Sequence, residues 1–443
     1  MQTLKGLPAR SPRQPAGCRV VIDVRPLQEP ERTPITAAYL ERLLEAFAAR
    51  PLPGESFVVR LRTLRDDPAD ALEARGLVVA GRRRLPPTAR LLRSGGLTLD
   101  SFMLRGAEVG SARGAEAGAA GAVYHTAGGA VPIGSRLPVV ATLLDLAPWE
   151  LPEVYARSAA ARFGHRLRAR VLHDAARLIV TSRATGESAR RRIHIRPERI
   201  AVIPLAADPA FGREAADPER VARLRARLGL PDRYLVFAGR YDARKDLGTL
   251  FAALAGLREE GPARPTRRAA GAARAGATAE GAATTDPWPP LVVLAGAAGA
   301  DETDVAALGR AAARHGVSDL VRLTPRLGQD ELATLEASAR GFVFPSISEG
   351  TGLAALEALA GGIPVVASKT GPLPEIVGTA GIIVEPREER RLAEALRAVW
   401  SDGRIHDQLR RSAQARAAAP RRTWDDVARE TRVVYAEAAA PLG

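Results

Sequence analysis

Two glutamates eight positions apart, Glu349 and Glu357, stand in the segment 342–368, FVFPSISEGTGLAALEALAGGIPVVAS. Apolar, β-branched residues open and close this segment as strands, Gly350 and Gly352 make a loop, and 353–360 reads as a short helix stopped by Gly361 and Gly362. Loop glycines let a backbone approach a ligand closely, and the free amides at a helix start, here Gly352 and Leu353, favour an anion. Glu357 falls about one turn into that helix and shares the face of the residues that open it. Two carboxylates so placed, with Thr351 between them, address two parts of one elongated polar ligand. A second block, 234–246, YLVFAGRYDARKD, runs from an apolar strand through Gly239 into a loop carrying Arg240 and Lys245. A diphosphate needs compact cationic donors at the mouth of a site, and Arg and Lys in such a loop supply two that converge. Lysine is scarce in this chain: Lys5, Lys245 and Lys369 are the only three. Taken singly, glutamates are common on helices and loop cations are usually solvated; the two blocks gain meaning together.

Such chemistry needs a frame that brings loops to one place. From residue 19 onward, short β-branched runs alternate with longer amphipathic or Ala-rich segments, the rhythm of βα units and a parallel sheet. Strands are expected at 19–24, 56–61, 121–125, 138–145, 177–182 and 200–205, with helices at 34–50 and 153–175. In the first helix Ile35, Tyr39, Leu43, Leu44 and Phe47 recur at helical spacing and define one buried face. After a loop at 206–211, a second series places strands at 234–239, 291–296, 320–323, 341–345 and 364–368, and helices at 247–258, 305–315, 330–339 and 353–360. The expected fold is α/β: two Rossmann-like doubly wound domains, 18–205 and 206–420, facing across a cleft, after a loose N-terminal tail at 1–17. Open α/β sheets bind ligands at the carboxyl ends of their strands, so the site is expected in loops that follow strands. Residues 261–289 carry almost no large apolar side chains and read as a disordered insert, joining a helix end to a strand start on the side away from the ligand.

Composition narrows the alternatives. A chain of 443 residues is too long for one ordinary core and fits two domains of about 200 residues each. Apolar residues at 46% and charged residues at 26% match globular averages, and no window approaches the roughly 18 consecutive apolar residues of a membrane span. The start is basic and Pro-rich without the apolar stretch of a secretory signal, so a cytoplasmic location is expected. Cys18, the single cysteine, allows no internal disulfide and no multi-cysteine metal site. The formal charge of +14 is almost wholly arginine, spread along the chain with few aromatics, which fits a GC-rich genome better than a nucleic-acid surface. A peripheral contact with anionic membrane lipid is the partner this charge leaves open.

Segment 342–368 closely resembles the C-terminal signature of the family-four retaining glycosyltransferases, proteins of the GT-B fold. The usual form is a Glu-Gly-Phe-Gly-Leu loop, seven residues between two glutamates, a small-residue turn and a Pro-Val-Val-Ala strand. The resemblance implies that Glu349 lies at the transferred sugar and that Glu357 binds the nucleotide ribose, with Gly350, Thr351, Gly352 and Leu353 along the nucleotide sugar. Block 234–246 is similar to the family's Gly-Arg and Arg-Lys elements, which implies that Gly239, Arg240 and Lys245 hold the donor diphosphate. Residues 174–211 resemble the last unit of the N-terminal domain and the crossing to the donor domain, and 423–435 the closing helix, so that 421–443 packs back on the first domain. Three positions depart from the pattern. Thr351 stands where an aromatic is usual, 31–36 (ERTPIT) has Pro34 where many members have a Gly-rich loop, and Leu144-Asp145 replaces a frequent His-Asp. Leu144 cannot exchange a proton, which leaves His125 in the neighbouring VYHTAGG loop as the acceptor-side candidate, or a structural residue. Asp145, at a sheet's carboxyl edge, is a candidate for orienting the acceptor; otherwise it caps the loop LAPWELPE.

The resemblance implies transfer of a hexose, of mannose or glucose type, from a nucleotide-diphosphate sugar to a sugar, lipid-linked or polysaccharide acceptor, with retained anomeric configuration. No cofactor and no metal are expected, because Arg240, Lys245 and the amides near Gly352 and Leu353 can stabilise the departing diphosphate. Three readings compete. A non-catalytic nucleotide-sugar-binding protein is suggested by Leu144 and Pro34; a sugar-nucleotide epimerase is disfavoured by the Glu349/Glu357 spacing; a nucleic-acid binder has charge alone in its favour.

Overall fold

A computed structural model of the protein describes residues 17–63, 65–85, 121–128, 135–261, 288–296 and 302–440. The tail at 1–16, the body of the expected insert at 262–287 and the last residues 441–443 lie outside the described residues.

Two sheets, parallel throughout, carry the two halves. The first holds β1 (Arg19–Asp23), β2 (Ser56–Arg62), β3 (Val79–Leu85), β4 (Ala122–Ala127), β5 (Val139–Leu143), β6 (Arg177–Val180) and β7 (Ile200–Val202), in the order β3-β2-β1-β4-β5-β6-β7. The second holds β8 (Leu235–Gly239), β9 (Val292–Gly296), β10 (Val321–Leu323), β11 (Gly341–Phe344), β12 (Val365–Ser368) and β13 (Gly381–Val384), in the order β10-β9-β8-β11-β12-β13. Central strands such as β5 (VVATL) and β12 (VVAS) are buried at every position, as parallel strands covered by helices on both faces must be. In each sheet the chain winds outward one way, returns to the middle and winds the other way. The reversal opens a crevice between β1 and β4 and another between β8 and β11.

The α/β, doubly wound character expected from the sequence is therefore observed, with local differences. The single helix expected at 153–175 is broken into Pro152–Tyr155 and Ala159–His173, because the Ser158 hydroxyl accepts from the Ala161 amide at 3.1 Å and starts a new helix. Strands β3 and β13 escaped the sequence reading, and both are sheet edges. β3 (VAGRRRL) looks too basic for a strand, but Arg82 is held by Asp67 at 2.9 Å, by Asp70 at 2.7 Å and by Glu73. β13 (GIIV) is only half-buried at three of its four positions.

The helix Pro34–Ala49 buries Tyr39, Leu40, Leu43, Leu44 and Phe47 on one face, each such side chain contributing about 1.5–3 kcal/mol. Against it packs the last helix, Trp424–Ala439, which crosses back from the second half of the chain to the first sheet. Thr423 and Asp426 cap its start reciprocally. Arg432 then reaches Glu55 at 2.6 Å, with its guanidinium 4.8 Å from the Phe47 ring centre, and the Tyr435 hydroxyl meets His125 Nδ1 at 2.7 Å.

Candidate active site

The crevice between β8 and β11 positions the chemistry. After β8 the chain turns through Ala243–Lys245, and Asp246, with φ of 48°, starts the helix Leu247–Glu260 from a left-handed conformation. After β11 the loop ends at Gly352, with φ of 63°, where the helix Leu353–Ala360 begins. A side chain at 352 would be excluded twice: by that φ, and by Ile376 Cδ1, which a Cβ would approach to 2.5 Å. These two turns bring Lys245 Nζ to Glu349 Oε2 at 2.6 Å, while the Gly352 amide donates to Glu349 Oε1 at 3.2 Å. The same ammonium lies 4.1 Å from the centre of the Phe344 ring. Both side chains are almost completely buried. Burial alone would raise the Glu349 pKa; Lys245 and Arg244 outweigh it and hold the carboxyl below its usual range, so it is ionised at neutral pH.

The signature loop also rests on the first domain. The Thr181 and Thr185 hydroxyls donate to the Gly350 carbonyl at 2.7 and 3.1 Å. Glu150 joins Ser188 of the first half to Ser348 of the second, at 2.7 and 2.6 Å. Gly350 lies so close to the backbone at 144–145 that an added Cβ would come within 2.0 Å of the Leu144 carbonyl oxygen. Asp145 plays two parts: it accepts from the Ala147 amide at 2.8 Å, capping the following loop, and it accepts from Arg244 Nη1 at 3.1 Å.

A cavity of about 650 Å³ opens beside the Lys245–Glu349 pair, within the usual size range of ligand pockets. Its walls combine Gly239, Arg240, Arg244, Thr351, Leu353 and Glu357 of the second half with Pro34, Ile35 and Ala38 of the first. Arg240 is half-buried and reaches the Arg32 carbonyl at 3.5 Å. The Glu357 carboxyl is pushed up to about 8 by burial, then by the negative charge of Asp208, so it carries a proton near neutral pH and can donate as well as accept. Glycines 350 and 352 shape the backbone of this loop, one against the first domain and one at the helix start.

His125 is placed elsewhere. It is fully buried in the first domain, with Nδ1 facing Tyr435 and Nε2 at 2.9 Å from the Thr142 hydroxyl. Burial depresses its pKa to about 3, so it stays neutral. Its partners tie the last helix to the first sheet, and it is not among the side chains that border the cavity. Leu144 is buried in the same core. Arg244 and Glu336, which do border the cavity, were not singled out by sequence reasoning. Arg244 had a signal, its place beside Lys245. Glu336 had a fainter one, a charge on the apolar stripe of QDELATLEA. Among the described residues no group of three or more His, Cys, Asp or Glu side chains is arranged to hold a metal ion.

The chain matches the family model for glycosyl transferases group 1 over residues 222–416 and the model for glycosyltransferase family 4 over residues 36–211. A D-inositol 3-phosphate glycosyltransferase of Streptomyces bingchenggensis is 33% identical over 277 residues, which are 60% of this chain and 54% of that protein. An MMP alpha-(1->4)-mannosyltransferase of Mycolicibacterium hassiacum is 40% identical over 136 residues, 29% of this chain and 32% of that protein. The chain spans about half the length of the first of these curated relatives. Among solved structures, Anabaena HepE in complex with UDP-glucose has a TM-score of 0.61 at 19% identity, covering 94% of this chain and 98% of that one. WaaG, a glycosyltransferase involved in lipopolysaccharide biosynthesis, has a TM-score of 0.65 at 16% identity, with the same coverage. These two likenesses concern the fold, two doubly wound domains with a shared cleft. With both halves matched by the paired family models and the two sheets of the fold in place, the chain belongs to glycosyltransferase family 4, with the GT-B fold.

Proposed function

We propose that the protein is a retaining glycosyltransferase that moves a hexose from a nucleotide-diphosphate sugar to an acceptor held in the cleft. The observation that carries this reading is the buried Lys245–Glu349 pair at the crevice of the second sheet, bordering the same cavity as Glu357. In this account Glu349 orients the sugar through its hydroxyls. Lys245, Arg240 and the amides at the start of helix Leu353–Ala360 neutralise the charge that develops on the departing diphosphate. No side chain is assigned as the base; the departing phosphate takes the acceptor's proton, which suits a site where Leu144 supplies none. Arg244 and Asp145 keep the donor loop against the first domain. The reaction needs no metal in this scheme, and undiminished turnover in EDTA is expected.

The relatives' names point to a mannose- or glucose-type donor and to a phosphorylated polyol or glycan acceptor. The helix Ala159–His173 has no acidic residue and exposes Phe163 between Arg162 and Arg166, a face suited to peripheral contact with anionic lipid. Sedimentation with anionic but not zwitterionic vesicles, lost in Phe163→Ser, is the expected behaviour.

Donor and acceptor panels decide the reaction. Release of nucleoside diphosphate with a product that keeps the donor's anomeric configuration, read by NMR, is expected. An inverted product would overturn the retaining assignment. A second reading, a nucleotide-sugar-binding protein without turnover, is favoured by the burial of Leu144 in the core. It predicts saturable donor binding with no diphosphate release for any acceptor.

A further inference from the structure

Glu336 occupies the helix Gln329–Ala337, where Ala333, Thr334, Leu335 and Glu336 are buried. A carboxyl on the buried side of a helix is disfavoured unless something satisfies it. Glu336 is 1% exposed, and neither of its carboxyl oxygens has a hydrogen-bond partner among the described residues. It borders the cavity beside the Lys245–Glu349 pair, as does Glu357. Burial, and then the charge of Glu357, push the Glu336 carboxyl well above the ordinary carboxylate range.

A buried carboxyl with no hydrogen-bond partner weakens a fold, and an apolar side chain at 336 would avoid that desolvation cost. The common placement of the two carboxyls makes sense if a ligand satisfies both. Glu357 is flanked by Asp208, itself ion-paired to Arg42 of the first half, whereas Glu336 has no comparable partner among the described residues. Together the two carboxyls offer a hydroxyl donor and several acceptor oxygens at two neighbouring points. A vicinal diol, which donates and accepts at each of two adjacent oxygens, is the complementary group.

We propose that Glu336 is a second ribose-binding residue, forming with Glu357 a two-carboxyl clamp on the 2′- and 3′-hydroxyls of the donor nucleoside. The proposal rests on the nucleotide-sugar reading above and deepens it.

The test is calorimetric titration of the full chain, as wild type, Glu336→Leu and Glu336→Gln, with UDP, GDP and the 2′-deoxy and 3′-deoxy forms of each. Wild type is expected to bind its preferred ribonucleotide about tenfold or more tightly than a deoxy form, the effect of one lost buried hydrogen bond. Glu336→Leu should bind the ribonucleotide about tenfold more weakly and lose the preference over at least one deoxy form. Glu336→Gln, which keeps a donor and an acceptor, should retain most of the preference. Without nucleotide, Glu336→Leu should melt at a higher temperature than wild type, the mark of a residue kept for a ligand at the expense of the fold. An unchanged preference in Glu336→Leu, or a lower melting temperature in the absence of nucleotide, overturns the clamp while leaving the donor site standing. Folded wild type that binds neither UDP nor GDP overturns the clamp and the nucleotide-sugar reading together.

Discussion

Replacing Lys245 by Met would leave Glu349 as a buried carboxylate without its ion-pair partner. The side chains of the pair are 5% and 3% exposed, so solvent screens little of the interaction. Removing one member of such a pair costs about 3–5 kcal/mol, the larger part being the lone charge left behind. The Gly352 amide and the nearby Arg244 still stabilise Glu349, which puts Lys245→Met near 3 kcal/mol, the low end of that range. Adding Glu349→Gln removes the stranded charge. The double variant should therefore be more stable than Lys245→Met, with a coupling of roughly 2–3 kcal/mol. The pH dependence carries a second signature. In wild type the Glu349 pKa is depressed on folding, so its stabilisation is present above the unfolded value of 4.5 and is lost as pH falls. With Lys245 gone the depression of that pKa shrinks, so less of the Glu349 stabilisation is present at neutral pH and Lys245→Met compares better with wild type at pH 5 than at pH 8. Urea denaturation of the three variants and wild type at both pH values measures each quantity. Additive single-variant costs, or a Lys245→Met penalty independent of pH, would refute the picture of a tightly coupled buried pair.

Three further outcomes follow from the same geometry. His125 has a folded pKa depressed to about 3 by burial, so its contribution is full above the unfolded value of 6.5 and falls as pH drops through that window. It accounts for about 2 kcal/mol lost between pH 7 and pH 5, and His125→Gln should flatten that part of the acid limb in denaturant titrations. Gly350→Ala would drive a Cβ to 2.0 Å from the Leu144 carbonyl oxygen, so the loop must leave the first domain. Turnover should fall by about a hundredfold or more while circular dichroism stays unchanged, since small displacements of a catalytic group are that costly. Arg432→Met strands Glu55 beneath the last helix and should cost about 3–5 kcal/mol by denaturant titration, with little effect on donor affinity in the folded protein.

The elements that frame the site were legible because parallel strands covered on both faces read as short apolar runs; β1, β8, β11 and β12 are of that kind. Edge strands have no such constraint. Arg82 of β3 is satisfied by carboxylates from 67–73, an arrangement that only the folded chain reveals. The helix start at 353 was readable to the residue from the glycines before it and the Ala-rich run after it. In the site, Glu349 and Lys245 stood out by residue type and by their loops, and they lie 2.6 Å apart although 104 positions separate them. Position relative to the other domain was not legible. His125 reads as the end of a strand at 121–125, yet β4 runs on to Ala127 and the ring points into the core, taken up by Tyr435, 310 residues away. Glu336 was missed for a related reason, since an amphipathic pattern shows that a charge is misplaced and not what it awaits.

The central claim is a nucleotide-sugar site built on Glu349 and Lys245, and calorimetric titration with UDP-glucose and GDP-mannose reaches it most directly. Wild type should bind at least one of them saturably at a single site, and Lys245→Ala, shown to be folded by circular dichroism, should bind it about a hundredfold more weakly for the loss of a charged contact to the diphosphate. Absence of saturable binding by the folded wild type, or equal affinity in Lys245→Ala, would contradict the account.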